Sequence, residues 1–123
     1  MNFKVTTDDE TLKTLGKLLN CKKEKMDELK DAVNSEVSLR LDYEHKFNQM
    51  LISPELTDKV KEATDESRPT SKMKEAYIVE ELKTEYDDLE LAKQNTSLIR
   101  KDLEYIDNVI SAEKYALQLQ MRS

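Results

Sequence analysis

The sequence predicts an all-α protein: a long antiparallel helical hairpin of coiled-coil character, with a short helix or loop at its tip, assembled into a homo-oligomeric bundle or ring. Three observations carry this. Apolar residues in the second half recur at steps of three and four: Ile78, Leu82, Leu89, Ala92, Ile99, Leu103, Ile106, Ile110 and Leu117, with Glu85, Thr96 and Glu113 taking the remaining turns. That rhythm is the seam of a helix lying against other helices. One Gly and two Pro in 123 residues leave little material for tight turns, which argues against all-β and α/β folds. Charged residues equal the apolar share at 37%, a balance that suits narrow apolar stripes on long helices rather than a deep globular core.

The elements follow in order within a single helical domain over 1–123. Residues 1–6 read as an extended or frayed arm. Thr7-Asp8-Asp9-Glu10 fits a capping box, in which the Thr7 hydroxyl accepts from the backbone at Glu10 and Glu10 reaches back. A long helix over about 7–52 should start there, with the stripe Leu12, Leu15, Leu19, Met26, Leu29, Val33, interrupted by Lys22 and continuing through Val37, Leu41, Phe47 and Leu51. At about 1.5 Å per residue it would be roughly 68 Å long. Gly16 weakens this helix by about 1 kcal/mol relative to Ala without ending it. Ser53-Pro54 reads as a stop and restart, giving a short helix over 54–63. Residues 64–71, rich in hydroxyls and charge around Pro69, form the loop, and Thr70 or Ser71 caps a second long helix over about 72–120. A short break between two long helices of similar length favours an antiparallel hairpin.

The last helix carries a second apolar stripe: Leu91, Leu98, Tyr105, Val109, Ala112, Ala116 and Leu119, about 110° around from the first. The hairpin partner covers one face, and a folded-back arm or the 54–63 segment is one way to cover the other. The more economical reading is an oligomer interface formed by these seven residues. Glu85, Glu113 and Lys22 sit in seam positions, either as register-setting polar groups or as side chains reaching out to water.

The composition argues against an enzyme. His45 is the only histidine, Cys21 the only cysteine and Gly16 the only glycine. No metal site, Ser–His pair or phosphate-cradling loop can be assembled from these. No cofactor is expected. A single cysteine implies a reducing compartment, no run is apolar enough to span a membrane, and the polar opening Met1-Asn2-Phe3-Lys4-Val5 does not read as a signal peptide, so a cytoplasmic protein is expected, in the host cytoplasm if viral. The formal net charge of −6 counts against nonspecific nucleic-acid binding by one chain. Local basic groups remain: Lys13, Lys17, Lys22, Lys23 and Lys25, then Arg40, Lys46, Lys72 and Lys74, with Tyr43 and Phe47 close to Arg40 and Lys46. They are ordinary solvating charges in a monomer. In a ring of copies, weak phosphate contacts would add, and an aromatic beside a cation is what single strands stack on.

A first arm that ends near Leu39-Arg40-Leu41-Asp42-Tyr43, a polar break, and a second arm opening at Ser71-Lys72-Met73-Lys74 resemble the phage recombination mediator proteins of the UvsY type. The resemblance implies a small, helical, ring-forming protein that binds single-stranded DNA and helps a recombinase displace the single-strand-binding protein. In that family a basic pair just before the Leu-Asp-Tyr stretch contributes to DNA binding; Arg40 stands at its second member and Ser38 at its first. The expected function is therefore a non-catalytic mediator with Arg40, Lys46, Lys72, Lys74 and Tyr43 at the nucleic acid. The competing expectation is a structural or adaptor coiled coil, such as a scaffold, virion component or protein inhibitor, that binds another protein.

Overall fold

The computed structural model describes residues 3–122, with side chains from residue 9 onward. Within them the chain is all-α. Helix α1 spans Phe3–Leu51, α2 Leu56–Thr64, α3 Ser71–Glu81 and α4 Lys83–Arg122. The chain divides into two compact units, residues 1–33 with 95–123 and residues 34–94. In each unit α1 packs against α4 in the antiparallel sense. In the first, Thr11 lies against Gln120, Lys22 against Asp107 and Lys25 against Asp102. In the second, Tyr43 lies against Tyr86 and Lys46 against Glu85. The helical hairpin is as expected.

Helix α1 starts earlier than the capping box predicts. Residues 3–6 are already helical, so Thr7 is inside the helix and cannot cap it; its side chain lies outside the described residues, as do residues 1 and 2. No Gly or Pro stands upstream to stop propagation, and adding a residue to an existing helix costs little. Downstream, Ser53 caps a turn rather than a helix. Its Oγ accepts from the Glu55 N–H at 3.4 Å and its carbonyl from the Leu56 N–H at 3.2 Å, and α2 begins only after that turn. The α2 end is closed by Asp65 in the left-handed region (φ 58), whose N–H reaches the Lys61 carbonyl at 2.9 Å. Thr70 is the cap of α3: it has extended backbone, and its hydroxyl accepts from the Met73 N–H at 3.2 Å.

The second long helix is not continuous over 72–120. It is interrupted at Leu82 (φ −99, ψ 21), although the Leu82 N–H still reaches the Ile78 carbonyl and the Tyr86 N–H the Leu82 carbonyl, both at 2.9 Å. No Gly or Pro lies there. Leu82 and Ile78 are both buried with Leu56 and Val60 of α2, and Tyr43, Phe47, Met50, Met73 and Tyr77 pack around them. The irregularity thus falls at a residue buried against α2.

The α4 seam is as the heptad predicts: Leu89, Thr96, Ile99, Ile106 and Ile110 are buried, and Glu85, Ala92, Leu103, Glu113 and Leu117 half-buried. The α1 seam differs. Its covered positions include the regular heptad Thr11, Leu15, Leu18, Lys22, Lys25, Leu29, Ala32, Glu36, Leu39, Tyr43, Lys46 and Met50, with Val33, Val37 and Phe47 half-buried beside it. Leu15, Lys22, Leu29, Val33, Val37 and Phe47 are covered as expected. Leu12, Leu19 and Met26, expected inside, face water at 56%, 51% and 54% exposure, and Leu41 is also exposed. In the first unit the seam is rotated by about 50° from the expected stripe, because Leu18 rather than Leu19 packs against the Leu15–Ile106–Ile110 cluster.

Candidate nucleic-acid and protein interfaces

The five residues expected at nucleic acid all lie in the second unit, but their surroundings differ. Lys46 is occupied. Its Nζ stands 3.1 Å from Asp42 and 3.7 Å from Glu85, and the hydrogen bond and charge of Asp42, then those of Glu85, raise its pKa. Two carboxylates beside one ammonium make that spot net negative and compete with a phosphate for it. Tyr43 is half-buried between rings, with centroids 6.2 Å from Phe47 and 5.9 Å from Tyr86. Its ring packs against both neighbours in tilted contacts. Arg40 is exposed and, among the described residues, has no ion pair; the same holds for Lys72, which is exposed, and for half-buried Lys74. An open cleft of about 300 Å³ lined by Tyr43, Glu44, Phe47 and Asn48 adjoins this region, with a carboxylate in its wall.

The charge distribution is uneven between the two units. The first unit carries eleven Lys and Arg against eleven Asp and Glu; the second carries nine against fifteen. The whole formal charge of −6 therefore belongs to the unit that holds Arg40, Lys72 and Lys74. A field of that sign repels a polyanion.

Both units expose large apolar side chains, and in the first unit they form rows on α1 and α4. On α4, Leu98 and Tyr105 are 60% and 70% exposed, Leu119 and Ala112 are exposed, and Val109 and Ala116 half-buried; Leu91, at the α4 end of the second unit, is also exposed. Five of the seven residues of the expected interface are thus exposed on α4, and Val109 and Ala116 are half-covered at its edge. The structure adds Leu12, Leu19 and Met26 of α1. Sequence alone assigned these to the core, because α1 offers two adjacent apolar rows and only the position of α4 selects between them.

The polar seam residues behave as rim groups. Lys22 Nζ meets Asp107 at 2.7 Å, and Lys25 meets Glu28 at 3.1 Å and Asp102 at 3.4 Å, with Glu28 first and Asp102 second raising the Lys25 pKa. Their stems cover the seam and their heads reach carboxylates at its edge. Cys21 and His45 are exposed. Among the described residues no group of three His, Cys, Asp or Glu side chains could hold a metal ion, and no helix is long and apolar enough to cross a membrane.

No protein-family model matches this chain, and no curated protein and no solved structure matches it either. The resemblance to the UvsY-type mediators thus rests on the two short stretches around Arg40 and Lys72.

Proposed function

We propose that this chain is a non-catalytic helical scaffold or adaptor that associates with itself and works through protein contacts. The observation that carries this is the apolar surface of the first unit: large side chains of both α1 and α4, led by Leu12, Leu19, Met26, Leu98 and Tyr105, face water at half exposure or more. Apolar rows of that size on a hairpin are kept from water by other copies or by partners. The acidic second unit supports a protein partner with basic segments over a polyanion. Sedimentation tests the reading. The protein should have a mass that is an integral multiple of one chain at micromolar concentration, and a single chain at all concentrations would overturn it.

A second reading, the single-stranded DNA mediator, is favoured by Arg40, Lys72 and Lys74, which carry no ion pair among the described residues. In an assembly these cations repeat, and phosphate contacts add by multivalency. Arg40 is then the leading contact, while recombinase and single-strand-binding protein are the partners the resemblance implies. A salt titration of oligonucleotide binding decides it: affinity that falls steeply with salt supports the mediator, and no binding at about 50 mM salt rules it out.

A further inference from the structure

We infer that the exposed α1 row Leu12, Leu19, Met26 docks on the exposed α4 row Leu119, Ala112, Tyr105 of a second copy of this chain, in a heterologous contact between level residues. The inference rests on the self-association proposed above and names the two surfaces that meet.

The first observation is that the rows lie on opposite flanks of the first unit. Lys22 and Lys25 mark the two edges of the α1 seam, about 60° apart at 100° per residue. Leu19 and Met26 lie one turn either side of Lys22, on the edge that meets Asp107. Leu98 and Tyr105 lie one turn either side of Asp102, on the edge that meets Lys25. A face on each flank cannot satisfy itself within one chain, and it suits a neighbour on each side.

The second observation is that the rows are in phase. The contacts Thr11–Gln120 at 3.5 Å, Lys22–Asp107 at 2.7 Å and Lys25–Asp102 at 3.4 Å set which residues of α1 and α4 are level to within about one helical turn. Leu12 follows Thr11 and Leu119 precedes Gln120. Steps of seven forward on α1 and back on α4 keep the pairs level: Leu19 with Ala112, then Met26 with Tyr105. A neighbour related by rotation without axial shift therefore brings apolar residues of one row against those of the other along the whole contact.

The third observation is shape. Gly16 lies between Leu12 and Leu19, and nothing stands within 4 Å of where its Cβ would be. Within a turn of its level on α4 is Tyr115, 61% exposed, between Ala112 and Leu119. The one position on the α1 flank without a side chain thus leaves room near a bulky ring. Leu19 stands opposite the small Ala112, and the Met26 thioether opposite the Tyr105 ring, a favourable sulfur–aromatic pairing. An isologous contact of α4 with α4 would leave the α1 row in water. A heterologous contact covers both rows, with copies pointing the same way, and closes into a ring or continues as a filament according to the rotation per step.

The test uses full chains with Cys21→Ser to remove the native thiol, and mild oxidation read on a non-reducing gel. Met26→Cys alone and Tyr105→Cys alone should give no covalent dimer. Their mixture should give one, and a chain carrying both substitutions should give a ladder of multiples. Leu19→Cys with Ala112→Cys is the second pair, in case the first disturbs folding, which circular dichroism checks. Dimers from Tyr105→Cys alone, or an associated protein in which neither pair cross-links, would overturn the inference and leave self-association standing. A single chain by sedimentation would remove both.

Discussion

Lys25 and Lys46 show how a lone side chain's neighbours decide what it can do. Both pKa values are raised above the ordinary 10.5, by Glu28 then Asp102 for Lys25 and by Asp42 then Glu85 for Lys46. A lysine whose folded pKa exceeds its unfolded one stabilises the fold fully below the unfolded value and loses that contribution as pH rises through the folded one. The stability gap between the native chain and a Lys25→Met, Lys46→Met variant should accordingly be constant at pH values well below the ordinary lysine pKa of 10.5 and narrow as pH rises through the raised folded values, as read by urea midpoints. The same neighbours separate Lys46 from Arg40. If oligonucleotide binding is found, Arg40→Ala should reduce the salt slope by about 1, and Lys46→Ala should leave it unchanged. Equal losses from the two would show that the Lys46 pairing with Asp42 and Glu85 gives way to phosphate.

At the scale of elements, α2 and the break at Leu82 depend on each other. Ile78 and Val60 are fully buried in the cluster that joins α2 to α3. Ile78→Ala should cost about 2–5 kcal/mol, measured by chemical denaturation, because the removed atoms leave a cavity between two short helices. The α3 start depends on one hydroxyl. Thr70→Ala removes the acceptor for the Met73 N–H and should cost about 0.5–2 kcal/mol, with Thr70→Ser recovering most of it. These elements also show where sequence reading reaches its limit. Thr7-Asp8-Asp9-Glu10 has the residues of a capping box, yet helical backbone runs through it from Phe3, since a capping sequence does not by itself break a helix. Ser53-Pro54 has the residues of a helix start, yet the backbone uses them for a turn.

For the whole molecule, the decisive quantity is how many copies stand together. Leu98→Asp with Tyr105→Asp should reduce the sedimenting mass to that of one chain while helical content is kept, since both side chains are more than half exposed in a single chain. Salt offers an independent readout. Association through apolar rows between chains of net charge −6 should strengthen as salt screens their repulsion, whereas binding to a polyanion should weaken.

The helical class, the hairpin and the α4 seam were legible in the residues themselves, because a three-and-four rhythm runs from Leu89 to Leu117. The outer α4 row was legible for the same reason. On α1 two neighbouring rows, one with Leu15, Leu18 and Ala32 and one with Leu12, Leu19 and Met26, are both apolar, and a helix alone has no means of preferring either. The position of Ile106 and Ile110 on α4 made that choice, leaving Leu12, Leu19 and Met26 in water. Charge followed the same division. The sum was plain from composition, but only the fold gathered all of it into residues 34–94, around the cations that the chain's pattern had marked for DNA. Periodicity is a property of one helix and is written in its residues; which side of that helix is covered, and which charges become neighbours, depends on a second helix distant in sequence.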